Sequence, residues 1–151
     1  EEKGVLIVYA SMYGNTEKAA QSLASALCEK GMTNVAVYDI SNTDVSYIVA
    51  EAFKYSHIVL ASVTYNLNIY PKMYDFLHHL KMLNFQKRTF GIIENGTWAI
   101  KSGSLMKDFI DENFKESLVL GSQVSVNSSP NESNAKEIDS LADSLIESMK
   151  K

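Results

Sequence analysis

The sequence predicts an α/β fold, a three-layer, doubly wound arrangement in which a five-stranded parallel sheet lies between two layers of helices. Several strand-length segments are almost continuously apolar, which is typical of strands buried on both faces of a parallel sheet. The segments between them carry apolar residues at helical spacing. Strand and helix segments alternate five times along the chain. Because crossovers between parallel strands are right-handed, helices must cover both faces of the sheet.

Five segments are predicted as strands. Residues 5–10, 58–63 and 90–93 are continuous apolar runs, and residues 34–40 and 119–126 alternate more between apolar and polar side chains. A strand that is buried on both faces loses its alternation. The three continuous runs are therefore predicted to lie fully inside the sheet.

Five helices are predicted from apolar stripes with a period of 3.6 residues. The stripes comprise Ala19, Ala20, Leu23, Ala24 and Leu27; Ile48, Val49, Ala52 and Phe53; Met73, Phe76, Leu77, Leu80 and Leu83; Leu105, Met106, Phe109 and Ile110; and Ile138, Leu141, Ala142, Leu145, Ile146 and Met149. Gly31 is an end signal for the first helix, and Pro71 suits a first helical turn. Residues 129–132, Ser-Pro-Asn-Glu, have the form of a capping box.

The length, charge and composition of the chain limit the functions that it can have. The 151 residues fit a single domain, 1–151, and because the chain starts at Glu1 rather than Met we expect it to be excised from a longer protein. The net charge of −4 favours neither nucleic acid nor an anionic membrane as partner. No apolar stretch approaches the roughly 20 residues that span a bilayer. Cys28 is the only cysteine, which fits a reducing, cytoplasmic location.

The loop at residues 11–16 follows the first strand and leads into a helix. In open α/β sheets the ligand lies beyond the carboxyl ends of the strands, and a helix N-terminus offers unpaired N–H groups to an anion. Gly14 allows a tight bend, while Ser11, Asn15 and Thr16 add donors. The loop therefore suits a phosphate without any Lys or Arg. The alternative is that Asn15 or Thr16 only caps the helix.

Two further loops, residues 62–70 and 94–103, are predicted at the same edge. The first contains Tyr65 and Tyr70 with amide side chains between them, and the second contains the only tryptophan, Trp98, flanked by glycines. A planar heterocycle needs such an aromatic wall and amide groups for its edge. The alternatives are that the tyrosines pack on the following helix and that the tryptophan belongs to the core.

The histidines do not predict a metal site. His78 and His79 are adjacent, so they project about 100° apart on a helix and make a poor pair of ligands. His57 opens a strand, where we expect it to be solvated or to serve as a cap.

Two motifs carry a family resemblance. Residues 9–20, YASMYGNTEKAA, are similar to the phosphate loop of the flavodoxins. The pattern of that loop is a hydroxyl residue, two variable residues, a glycine, one position that is Asn or His, and a threonine. Residues 62–80, SVTYNLNIYPKMYDFLHHL, resemble the second flavin loop of the flavodoxin-like domain at the C-terminal end of flavodiiron proteins (A-type flavoproteins). There Ser-Pro-Thr-Tyr-Asn and a downstream Pro-x-Met are typical. The likeness covers essentially the whole chain.

The resemblance implies the strand order 2-1-3-4-5 and non-covalent binding of FMN. The phosphate would lie in the 11–16 loop and the isoalloxazine ring between the other two. The residues so implied to bind the cofactor are Ser11, Met12, Tyr13, Gly14, Asn15, Thr16, Thr64, Tyr65, Asn66, Leu67, Asn68, Asn95, Gly96 and Trp98. No residue is implied to be catalytic or to bind metal.

In that family the domain relays electrons to a diiron site that reduces oxygen or nitric oxide. That site belongs to a separate N-terminal β-lactamase-like domain, and this chain lacks its His-x-His and His-x-Glu-x-Asp patterns. The expected partner is therefore a redox protein or a diiron domain in a longer, flavodiiron-type chain. The oligomeric state is left open, a homo-oligomer included.

The chain departs from the family pattern in the second and third loops. The second loop has Ala61-Ser62-Val63-Thr64 where Gly-Ser-Pro-Thr is usual. In the third loop, Gly96 replaces an aromatic residue expected beside the ring, and Glu94 replaces a glycine. Losing one aromatic face removes roughly 1 kcal/mol of stacking. A carboxylate near the flavin would oppose its reduced, anionic form. The second hypothesis is therefore an interaction module that keeps the fold with weakened or lost FMN binding.

Two other α/β classes are excluded. A phospho-acceptor receiver domain needs an acidic pair after the first strand and an aspartate after the third, where this chain has Ala10-Ser11 and Ala61-Ser62. A dinucleotide-binding domain needs the glycine fingerprint G-x-G-x-x-G, which the first loop lacks.

Overall fold

The computed structural model describes residues 2–10, 15–65, 68–95, 102–126 and 132–150. In chain order these form β1 (Glu2–Tyr9), α1 (Asn15–Glu29), β2 (Val35–Asp39), α2 (Val45–Ala52), β3 (Tyr55–Tyr65), β4 (Asn68–Ile69), α3 (Pro71–Met82), β5 (Thr89–Asn95), α4 (Ser102–Asn113), β6 (Leu118–Val119), β7 (Val124–Val126) and α5 (Glu132–Met149).

The main sheet is parallel and runs in the order β2-β1-β3-β5, with β6 and β7 both on the outer side of β5. The predicted order 2-1-3-4-5 is thus confirmed, because β6 and β7 are two pieces of the fifth predicted strand. Leu6 lies between Ala36 and Ile58 in register, so the apolar runs occupy the centre of the sheet as predicted.

Two predicted segments differ in the structure. The strand predicted over 119–126 is interrupted by a tight turn, in which the N–H of Gln123 donates to the carbonyl of Gly121 at 3.0 Å. The 62–70 segment, predicted as a loop, is largely a hairpin, because β3 continues to Tyr65 and pairs antiparallel with β4. Polar and aromatic residues can extend a strand whose backbone finds a partner, so composition alone did not show this.

Alternate residues of the central strands face two separate cores. Leu6 and Val8 pack with the apolar faces of α2, α3 and α4, whereas Val5 and Ile7 pack with those of α1 and α5. The three-layer arrangement is therefore confirmed. Among the predicted apolar stripes, Phe53 and Leu83 are the exceptions, with 39% and 57% of their surface exposed, because both lie just beyond the ends of their helices.

The helix-end signals are confirmed where the structure describes them. Gly31 has a φ of 95°, and the N–H groups of Gly31 and Met32 donate to the carbonyls of Cys28 and Leu27, the pattern of a Schellman motif. Pro71 is the first residue of α3. The predicted capping box falls mainly on residues 129–131, outside the described residues. None of the helices described is both long and apolar enough to cross a membrane.

Candidate functional site

The carboxyl ends of β1, β3 and β5 lie side by side at one edge of the sheet. These three strands are consecutive neighbours and parallel, with Tyr9 opposite Ala61 and Val63 opposite Asn95. Each leads into one of the three predicted ligand loops. The fold therefore brings together the strand ends that precede the three segments rich in hydroxyl, amide and aromatic residues.

The first loop is anchored by a contact between its two flanks. The Tyr9 hydroxyl, at the end of β1, donates to Oε1 of Glu17, in the first turn of α1, at 2.8 Å. Burial, and next the hydrogen bond to Glu17, raises the pKa of Tyr9 above its usual range. Thr16, in the same turn, is 1% exposed. The acidic residue that follows the predicted phosphate loop in the sequence, Glu17, is thus engaged by a neutral phenol.

The second loop is anchored by backbone pairing. Thr64 lies opposite Ile69, and Tyr65 lies opposite Asn68, in the antiparallel β3–β4 hairpin. Tyr70 is partly buried and packs against the core cluster that includes the apolar face of α3. For this tyrosine, the alternative of packing is therefore confirmed.

The third loop is anchored by Glu94, whose side chain is 6% exposed. Its Oε2 accepts a hydrogen bond of 2.7 Å from the N–H of Gly103, in the first turn of α4. Its Oε1 accepts from Nε2 of Gln123 at 2.8 Å and from the Ser125 hydroxyl at 3.0 Å. A carboxylate accepts all three bonds, and its negative charge lies favourably at a helix N-terminus.

Six predicted binding residues lie within the described residues. Asn15 and Thr16 begin α1, Thr64 and Tyr65 end β3, Asn68 begins β4 and Asn95 ends β5. The first loop is thus shorter than predicted, since its last two residues are helical. The other predicted binding residues lie outside the described residues: Ser11, Met12, Tyr13, Gly14, Asn66, Leu67, Gly96 and Trp98.

Gln123 and Ser125 are site-edge residues that the sequence reasoning missed. Ser125 is the register partner of Glu94 across β5 and β7. The predicted strand order already places the fifth strand beside the fourth. Glu94 near the end of the predicted fourth strand and Ser125 near the end of the predicted fifth strand are both polar. That pattern was the available signal that the two side chains would meet.

His57 lies near the amino end of β3, at the opposite end of the strands, and the prediction for it was wrong. It is 5% exposed rather than solvated, with Nδ1 2.6 Å from the Ser56 hydroxyl and Nε2 3.1 Å from the Ser148 hydroxyl. It lines a cleft of about 320 Å³ that also includes Lys3 and Lys87. Burial lowers the pKa of His57. Strand position alone did not reveal that α5 covers this residue.

The other two histidines lie on the exposed side of α3. The His78 ring stacks on Tyr74, with centroids 6.2 Å apart, and Nδ1 of His79 lies 2.8 Å from the carbonyl of Asp75. Within the ranges that the structure covers, no three His, Cys, Asp or Glu side chains are grouped so that they could hold a metal ion.

Comparison with solved structures agrees with this geometry. Rubredoxin oxygen:oxidoreductase from Desulfovibrio gigas superposes with a TM-score of 0.88 at 24% identity, over 98% of this chain and 36% of that one. A flavodoxin from the domain Archaea superposes with a TM-score of 0.83 at 18% identity, over 99% of this chain and 100% of that one. At these identities the likeness establishes the fold.

Sequence comparison supplies the family. The chain is 30% identical over 86 residues to coenzyme F420H2 oxidase of Methanothermobacter marburgensis, a match that covers 57% of this chain and 21% of that protein. The matches span about a fifth of the length of the curated relatives. The flavodoxin family profile matches residues 7–136, most of the chain. The chain therefore belongs to the flavodoxin family.

Proposed function

We propose that the chain is an FMN-binding electron-transfer domain that relays electrons to a diiron domain or partner protein. The observation that carries this proposal is that β1, β3 and β5 end side by side. Each of these strands is followed in the sequence by residues rich in hydroxyl, amide and aromatic groups. The carboxyl edge of the strands is where open α/β sheets bind ligands.

The described residues fit a phosphorylated flavin. The first turn of α1 follows β1 after a short connection, and a helix N-terminus favours a phosphate. The Glu17 carboxylate accepts a hydrogen bond from Tyr9, and Glu94 accepts bonds from three donors. The carboxylates of Glu17 and Glu94 are therefore engaged by the protein, which weakens the expectation that Glu94 opposes FMN binding.

The proposed roles follow the three loops. Residues 11–16 would bind the phosphate, and residues 64–68 together with Asn95, Gly96 and Trp98 would contact the ribityl chain and the ring. FMN would supply the electron-transfer chemistry, while the protein would orient it and limit its contact with water. No acid–base residue is required.

Titration of the apo-protein with FMN tests binding. We expect saturable quenching of flavin fluorescence at micromolar protein, and weaker binding by Thr16→Val, which removes the hydroxyl in the first turn of α1. Ser148→Ala, at the opposite edge, is the matched control and should bind like the wild type. Absence of saturable quenching would favour the second hypothesis, an interaction module without flavin.

Electron relay needs a separate test. The resemblance of residues 62–80 to the flavodiiron proteins motivates a diiron acceptor. The FMN-loaded, chemically reduced chain is mixed rapidly with the isolated diiron domain of a flavodiiron protein under anaerobic conditions, and flavin absorbance is followed. We expect faster reoxidation with the iron-loaded domain than with its metal-free form. Equal rates would argue against this acceptor.

A further inference from the structure

We propose that Glu94 and Gly103 form a brace that positions the connection between β5 and α4 for flavin binding, an inference that rests on the proposed function. Glu94 is a positioning residue in this proposal, since it acts through the main chain of α4 and not by contact with the flavin. The brace is defined by the Glu94 carboxylate and the Gly103 N–H that it accepts at 2.7 Å.

The two residues flank the third loop. Glu94 is the penultimate residue of β5, and Gly103 is the second residue of α4. Their hydrogen bond is 2.7 Å long and buried, so it joins the entry and the exit of the loop directly. A buried bond to a charged acceptor is among the stronger hydrogen bonds in proteins.

Gly103 is adapted to this contact. A Cβ atom at this position would lie closer to Oε2 of Glu94 and Nε2 of Gln123 than real Cβ atoms come to any neighbour. The absence of a side chain therefore lets the carboxylate reach the backbone of α4. Glu94 and Gly103 depend on each other, which makes their coupling measurable.

The Glu94 side chain of the brace is also held in place by Ser125 of β7. Ser125 donates to Glu94, and its own carbonyl accepts a bond of 2.7 Å from Nδ2 of Asn134, which is 4% exposed. The same nitrogen donates to Glu137 at 2.9 Å. The carboxylate is thus connected through β7 to the first turns of α5, and it has little freedom to turn away from α4.

The physical consequence is a higher population of the arrangement that binds the flavin. Affinity falls in proportion when the binding-competent arrangement is less populated. Glu94→Ala removes the acceptor, and we expect the dissociation constant for FMN to rise about tenfold, the size of one lost charged hydrogen bond. Glu94→Gln keeps an acceptor for Gly103, and Gln123 and Ser125 can reorient towards the new amide, so we expect a change within about threefold.

A double-mutant cycle distinguishes the brace from general destabilisation. Dissociation constants are measured by fluorescence quenching for the wild type, Glu94→Ala, Gly103→Ala and the double variant, and the visible spectrum of bound FMN is recorded for each. Gly103→Ala alone should weaken binding, because its Cβ displaces the carboxylate. In the double variant that carboxylate is gone, so the alanine should add little further loss.

Ser148→Ala is the matched control, since it removes a hydrogen bond to His57 at the opposite edge. It should lower the urea midpoint without changing FMN affinity or spectrum. Equal affinity of Glu94→Ala and the wild type, or additive effects in the cycle, would overturn the positioning role while leaving FMN binding intact. Absence of binding by the wild type would overturn the proposed function, and the positioning role with it.

Discussion

The Tyr9 hydroxyl donates a hydrogen bond of 2.8 Å to Glu17 and so ties the last residue of β1 to the first turn of α1. Tyr9 is 7% exposed, and its ring packs in the core beneath α1 and α5. The contact stabilises the entry to the predicted phosphate loop. It also holds a negative charge in a fixed position beside a helix N-terminus that is proposed to receive a phosphate.

Removing the Tyr9 hydroxyl should therefore affect both stability and binding. Tyr9→Phe keeps the ring, and we expect the free energy of unfolding in urea to fall by about 1 kcal/mol, the net value of one hydrogen bond. We also expect weaker FMN binding, because the Glu17 carboxylate loses its donor. Glu17→Gln is the matched variant, since it keeps an acceptor and removes the charge. It should bind FMN at least as tightly as the wild type, and weaker binding would contradict this account.

The central strands and helix faces could be predicted from the sequence because they depend on local pattern. Continuous apolar runs and stripes of period 3.6 are visible without knowledge of neighbours. The break in the fifth strand was not visible, since it depends on a turn at Gly121 and on pairing with β5.

The partners of Glu94 and His57 were not predictable for a related reason. Glu94 meets Gln123 and Ser125 only through the register of β5 and β7, and His57 is buried by Ser148 of α5, 91 residues away along the chain. Long-range contacts of this kind depend on the assembled fold. The sequence supplied the residue types of the candidate site, and the structure supplied the arrangement of the strands that lead to it.

Burial of His57 predicts a pH dependence of stability. Burial lowers its pKa in the folded state below the ordinary value of 6.5, so the unfolded chain binds more protons as the pH falls through that value. Its contribution to stability is therefore complete above pH 6.5 and is lost on acidification.

Urea unfolding between pH 5 and pH 8, roughly the range over which histidine titrates, would measure this effect. We expect the free energy of unfolding of the wild type to rise with pH more steeply than that of His57→Gln. At the upper end of this pH range, the difference in free energy of unfolding between the two proteins gives the loss of stability that does not depend on pH. Parallel curves would show that His57 is not the group responsible.

Gly31 offers a test of the end of α1. Its φ of 95° lies in the left-handed region, and a Cβ there would meet no neighbouring atom within 4 Å. The strain of Gly31→Ala would thus come from the backbone alone. We expect a loss of about 1 kcal/mol in the free energy of unfolding, and a smaller loss for Gly31→Asn, because asparagine tolerates this conformation better. Equal losses would contradict the conformational explanation.

Arg88, at the amino edge of β5, is a buried cation that holds backbone carbonyl groups. Its guanidinium donates to the carbonyls of Tyr55, Gln86 and Phe53 at 2.8, 2.9 and 3.0 Å, and it lies 4.9 Å from the centre of the Phe85 ring. The side chain therefore joins the end of α2, the start of β3 and the approach to β5. Each of the three guanidinium nitrogens donates to a different carbonyl, an arrangement that the planar, fixed donors of arginine suit better than the single ammonium of lysine.

Replacement of Arg88 should destabilise the fold without affecting FMN. We expect Arg88→Lys to lower the free energy of unfolding by about 2 kcal/mol and Arg88→Met to lower it by about 3 kcal/mol or more, because buried carbonyls lose charged donors. Lys87→Met is the matched control. The Lys87 ammonium is exposed and lies 3.7 Å from Glu116, so its loss should cost less than about 0.5 kcal/mol. FMN affinity should stay unchanged in all three variants, since β5 separates Arg88 from the carboxyl edge. If Arg88→Lys were as stable as the wild type, the arrangement of three guanidinium donors would not be what stabilises the contacts between α2, β3 and the approach to β5.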